Sequence, residues 1–125
     1  MDENRISQRL IGAAIEVHRV VGPGLLEAAY QQCLARELVL RSIPFECEFP
    51  VALEYKGLAI ARAYRIDFLV CGRIVVELKS VERVMPVHRA QLLTYLKWSG
   101  NRLGLIINFN VPVLKAGIHR MVNKF

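Results

Sequence analysis

Tyr64-Arg65-Ile66-Asp67-Phe68-Leu69-Val70-Cys71-Gly72-Arg73-Ile74-Val75-Val76-Glu77-Leu78-Lys79 reads as an apolar hairpin with charges set into it at Arg65, Asp67, Glu77 and Lys79. Side chains alternate across a strand, so Ile66 and Phe68 are expected on one face and Arg65, Asp67 and Leu69 on the other. The same parity puts Val75, Glu77 and Lys79 on one face, with Ile74, Val76 and Leu78 behind them. Gly72 lies midway between Asp67 and Glu77. A reversal centred there brings the two carboxylates opposite each other on adjacent antiparallel strands. That centring requires an odd-numbered loop or a bulge, because a two-residue Cys71-Gly72 turn would send the acids to opposite faces. Carboxylates side by side repel, so something positive belongs between them, and a divalent metal is the obvious candidate.

The chain around this hairpin has 125 residues, 54% of them apolar, and a net charge of +6. That is one domain of ordinary size, residues 1–125, able to bury a core without disulfides. No apolar run reaches the roughly 18 residues of a membrane span. The polar start, Met1-Asp2-Glu3-Asn4, does not resemble a signal peptide, so a cytoplasmic location is expected. Cys33, Cys47 and Cys71 are far apart and in apolar surroundings, and all three are expected to be small core residues. The positive charge suits a phosphate-rich partner.

Working outward, Ile6, Leu10, Ala14, Val17 and Val21 recur at helical steps, which predicts a helix over 6–21 ended by Gly22-Pro23-Gly24. A second helix is expected from Leu25 to Arg41. Glu27 falls in its first turn, where the helix dipole favours a carboxylate whatever else that residue does. Strands are expected over 45–53, 58–70 and 73–78, joined by the Glu54-Tyr55-Lys56-Gly57 turn and the Gly72 reversal. A helix over 87–99, ended by Gly100, and a doubly buried strand over 103–109 follow. The tail over 113–122 reads as a short helix weakened by Gly117. The order is helix, helix, three-strand antiparallel meander, helix, strand, an α/β arrangement with helices packed on one mixed sheet.

Asp67 and Glu77 offer the hard oxygens that magnesium or manganese prefers, and Lys79 shares their face. Its ammonium would hold or help deprotonate an attacking water, or stabilise charge on a phosphorane-like transition state. The plainer reading is a surface ion pair worth about 0–1 kcal/mol. Gln91 and Tyr95 are four apart and share a helix face, where an amide and a hydroxyl can bond a carboxylate, a metal-bound water or a phosphate, or simply meet solvent. His18 could approach Glu27 across the glycine turn, His88 and His119 are expected at the surface, and Arg65 is expected to pair with Asp67. Basic residues run from Lys56 to Lys124, and whether they form one stripe depends on the fold.

Asp67 followed by Glu77-Leu78-Lys79 resembles the acidic and lysine motifs of the PD-(D/E)XK nuclease superfamily, whose restriction-endonuclease-like core, helix, three-strand meander, helix, strand, is similar to the element order given above. Gln91 and Tyr95 resemble the Gln-x-x-x-Tyr motif of the exonuclease domains in bacterial recombination complexes. Gly24-Leu25-Leu26-Glu27-Ala28-Ala29-Tyr30 resembles the signature of the GxxExxY proteins, a prokaryotic branch of the superfamily. Ile66 stands where the motif's name has proline. The resemblance implies that Asp67 and Glu77 bind Mg2+ or Mn2+, that Lys79 is catalytic, and that Glu27 is a further acid reaching the metal. It also implies that Gln91 and Tyr95 belong to the site. The expected function is metal-dependent hydrolysis of nucleic acid, DNA rather than RNA, by a homodimer or with a partner subunit. The alternative is a non-catalytic nucleic-acid-binding or assembly module on the same fold.

Overall fold

The computed structural model describes residues 2–123. Asp2 opens α1 (Glu3–Val21) by accepting the Arg5 N–H at 2.8 Å, and the helix buries the stripe Ile6, Leu10, Ala13, Ala14 and Val17. Then follow α2 (Glu27–Leu40), β1 (Phe45–Tyr55), β2 (Leu58–Val70), β3 (Ile74–Lys79), α3 (Pro86–Ser99), β4 (Leu103–Asn108) and β5 (Ile118–Val122). The strands lie in the order β1-β2-β3-β4-β5, antiparallel except for the β3–β4 pair.

Leu10, Val17, Leu34 and Leu38 of α1 and α2 pack with Phe68, Val70, Val76, Leu78 and Leu105 on one face of the sheet. Leu92 and Leu96 of α3 pack with Val51, Leu69, Val75 and Ile106 on the other. β3 and β4 are therefore buried on both faces, which explains their nearly unbroken apolar sequences. The architecture is a restriction-endonuclease-like α/β fold, a five-strand mixed sheet between helices. Among the described residues, no helix is long and apolar enough to cross a membrane.

Three expectations are corrected. The tail is not a helix: a single 3-10 turn, Leu114–Gly117, leads into β5, which pairs with β4. Gly117 sits against the Asn108 carbonyl, where a Cβ would collide, so this glycine marks a close backbone approach. Strict alternation along β2 fails at Asp67: Phe68 packs on the α1/α2 face, whereas Ile66 joins Leu69 and Val75 on the α3 face. The break coincides with the end of the β2–β3 ladder and with a left-handed kink at Glu48 (φ 50°) on the neighbouring strand. Cys47 is exposed on β1, while Cys33 and Cys71 are half-buried against the core, and all three are free thiols.

Candidate active site at the end of the β2–β3 ladder

Phe68, Leu69 and Val70 pair with Val76, Val75 and Ile74, a register symmetric about Gly72. The loop is Cys71-Gly72-Arg73, three residues, closed by the Arg73 N–H donating to the Val70 carbonyl at 3.0 Å, with Cys71 and Gly72 at positive φ. It is the odd loop that the centred register requires. One step past Phe68 and Val76 the main chains stop pairing and the acids take over. The Leu78 N–H donates to Asp67 Oδ2 at 2.8 Å, and the Asp67 N–H donates to Glu77 Oε1 at 3.2 Å. Each carboxyl thus stands in for a backbone acceptor with one oxygen, and its second oxygen takes no part in the exchange.

Glu77 is 9% exposed. Burial first, and the neighbouring Asp67 charge second, push its carboxyl up to about 8, against the pull of the Asp67 N–H and of Lys79. Burial also raises Asp67, opposed by the Leu78 N–H and Lys79 and reinforced by the charges of Glu27 and Glu48. The two acids, Lys79 and Glu27 therefore act on one another across one site, and the pocket favours added positive charge.

Glu27 is exposed in the first turn of α2, its charge acts on both acids, and the turn before it is fastened down. Tyr30 is fully buried, stacked on Phe109 with centroids 4.3 Å apart and planes 7° apart. Its hydroxyl donates to the Gly22 carbonyl at 2.6 Å and accepts the Leu25 N–H at 3.1 Å. Ser80, the residue after Lys79, donates its hydroxyl to the Leu25 carbonyl. Buried Asn108 holds Val81 through both N–H and C=O, and the Phe109 N–H donates to the Lys79 carbonyl at 3.0 Å. The glycine-to-tyrosine stretch is thus a structural clamp joining the start of α2 to the end of β3, which gives Tyr30 a role that its spacing alone did not reveal.

On the α3 side, Tyr95 stacks on Tyr64, with centroids 4.2 Å apart, and its carbonyl accepts the Tyr64 hydroxyl at 2.8 Å. Burial raises both phenols, Tyr64 to about 12, and the Glu77 charge adds to each. The Asp67 charge acts on Tyr95 as well. Gln91, one turn earlier, is exposed.

Other expectations change. His18 does not approach Glu27; its Nε2 lies 2.8 Å from the Val111 carbonyl and the ring is buried near Phe109. Arg65 pairs with Glu48, at 3.6 Å, rather than with Asp67. His88 and His119 are half-buried: His88 Nδ1 accepts the Met85 N–H at 2.9 Å, and His119 Nδ1 lies 2.8 Å from Arg89. Lys124 lies outside the described residues. Glu48 is the acid that the motifs missed. The pairs Cys47↔Phe68 and Phe49↔Ile66 bracket it across from Asp67. Counting back from the Lys56-Gly57 turn would place it two residues away, opposite Arg65; the irregularity between Val51 and Leu53 makes up the difference.

No three or more His, Cys, Asp or Glu side chains among the described residues already form a metal cage. The donor chemistry nevertheless fits a hard divalent cation. Two carboxyls raised chiefly by burial, Glu77 by the Asp67 charge as well, gain from one, and magnesium keeps several waters beside one or two carboxylates.

The fold and the paired acids define a restriction-endonuclease-like protein. The family model of the PD-(D/E)XK nuclease superfamily matches residues 4–121, and the chain belongs to that superfamily. Searches of curated proteins and of solved structures return no match.

Proposed function

We propose that this chain is a single-domain, cytoplasmic, metal-dependent nuclease of the GxxExxY branch, acting on DNA. The observation that carries the reading is the reciprocal exchange between Asp67 and Glu77, which holds two hard-oxygen ligands side by side with Lys79 two residues on. Asp67 and Glu77 would hold Mg2+ or Mn2+, with Glu27 a further acid held nearby. When bound, the ion polarises the scissile phosphate and lowers the pKa of an attacking water. Glu77 gives up its proton as the site is loaded, since its raised carboxyl is a ligand only when ionised. The Lys79 ammonium orients that water or neutralises charge developing on the phosphate. Tyr95 offers its hydroxyl, and Gln91 its amide from an exposed position on α3, to the substrate phosphates.

The test is cleavage of single- and double-stranded DNA with magnesium, with manganese and with chelator, beside Lys79→Ala. The parent should cut only with metal, and Lys79→Ala should lose at least about 100-fold in rate while keeping its melting temperature. Equal cutting by both preparations would mean a contaminant. DNA binding without cutting by either would establish the non-catalytic module instead.

A further inference from the structure

The β1–β2 hairpin outruns the rest of the sheet. β3 pairs with β2 only from Phe68 to Val70, and every residue from Glu54 to Ala63 is exposed. The tip is a tight turn, Lys56-Gly57, with both residues at positive φ, the hand that matches a twisted ribbon. Leu53 faces Ile60 and Tyr55 faces Leu58 across the ribbon, so these side chains share one face. Tyr55 is 60%, Leu58 61% and Ile60 37% exposed, and a contiguous exposed apolar patch marks an interaction surface. Between the pairs Leu53↔Ile60 and Val51↔Tyr64, the β2 residues Ala61, Arg62 and Ala63 lie against Ala52 alone. Such an insertion bends a strand, but here both strands keep their parity, so the same face continues down β2 through Arg62 to Tyr64. The Tyr64 ring stacks on Tyr95, and Asp67 of the acid pair follows on the same strand. The Lys56 ammonium lies 5.3 Å from the Tyr55 ring centre, and Glu54 belongs to the opposite face. The apolar strip is therefore interleaved with the cations Lys56 and Arg62 and with no acid.

We propose that this face is a stacking platform for unpaired nucleotides, leading a single strand of nucleic acid from the tip of the arm towards the paired acids. The inference rests on the nucleic-acid partner proposed above and holds whether or not the chain cuts. A single strand exposes flat apolar base faces together with its phosphates, and proteins that hold one combine aromatic rings with cations. Tyr55, Leu58 and Ile60 offer apolar surface to the bases, and Lys56 and Arg62 offer charge to the phosphates. A duplex fits the face less well, because its base faces are hidden in the stack. A ribbon that reads the major groove turns side chains such as Arg, Asn or Gln to the base edges, whereas the rungs here are Leu53 with Ile60 and Tyr55 with Leu58.

Fluorescence anisotropy with Lys79→Ala in magnesium tests it, a background meant to bind without cutting. The probes are a labelled thymidine oligonucleotide of roughly 16 nucleotides, an abasic strand of the same length, and a duplex. The thymidine strand should bind at least about tenfold tighter than the abasic strand, which has the same charge and no bases. Adding Tyr55→Ser or Leu58→Ser should remove most of that difference, with unchanged circular dichroism, whereas Arg62→Ser should weaken both single strands alike. Equal affinity for the two single strands, which needs no arm variant to observe, overturns the proposal and leaves the nuclease reading standing. So does a duplex that binds tighter than the thymidine strand, or a thymidine preference that survives both Tyr55→Ser and Leu58→Ser. Binding of none of the probes would overturn the nucleic-acid reading along with it.

Discussion

Glu77 sits nine-tenths buried beside another acid, and its raised carboxyl has a consequence for stability. A folded-state value of about 8 lies above the ordinary 4.5, so the folded protein holds a proton that the unfolded chain has lost. That contribution is complete below the ordinary value and disappears as pH rises through about 8. In chelator the melting temperature should therefore fall between roughly pH 5 and roughly pH 9, and magnesium or manganese should restore it, most strongly at the alkaline end. Glu77→Gln keeps the side-chain oxygen for the Asp67 N–H and should flatten both effects; differential scanning calorimetry across the range reads this. A variant as pH-dependent as the parent would assign the effect to another group. Asp67, Glu77 and Lys79 were legible because parity and the central Gly72 suffice to put them together. Glu48 was not, since its place opposite Asp67 depends on an irregularity that shifts β1 against β2 by two residues.

The start of α2 owes its position to a short clamp more than to its own sequence. Leu26 stands at its N-cap with no side-chain hydrogen bond, so the Tyr30 hydroxyl and the Ser80–Leu25 contact fix the turn instead. Tyr30→Phe keeps the ring on Phe109 but leaves the Gly22 carbonyl and the Leu25 N–H unpaired. It should cost about 1–3 kcal/mol in chemical denaturation. If Glu27 serves the reaction, cleavage at a temperature where the variant is fully folded should fall as well. A variant that melts lower yet cuts normally would leave Glu27 a purely structural helix-start residue. β5 escaped sequence reading for a related reason. Ile118, His119, Arg120, Met121 and Val122 are half-exposed or exposed, and their alternation is weak. What makes them a strand is β4, whose free edge is available only once the sheet exists.

At the scale of the whole molecule, the element order and the two-faced burial of the central strands were readable from apolar runs of the right length. Which helices cover which face, and the kink that turns Ile66 away from Phe68, arise only from packing. The net charge of +6 is also a whole-molecule property. If the partner is a polyphosphate, affinity for an oligonucleotide, measured in calcium or with Lys79→Ala, should fall at least about tenfold between roughly 50 and 200 mM salt. A salt-independent affinity would mean that contacts other than phosphate dominate. The Cys71-Gly72-Arg73 loop carries a final consequence, for engineering. Exposed hairpin tips are ordinarily where a chain accepts an inserted tag or a trimmed residue. Here the tip works as a phase-setter: adding or removing one residue, at the far end of the hairpin from the acids, would turn Glu77 through to the α1/α2 core while Asp67 stayed in place.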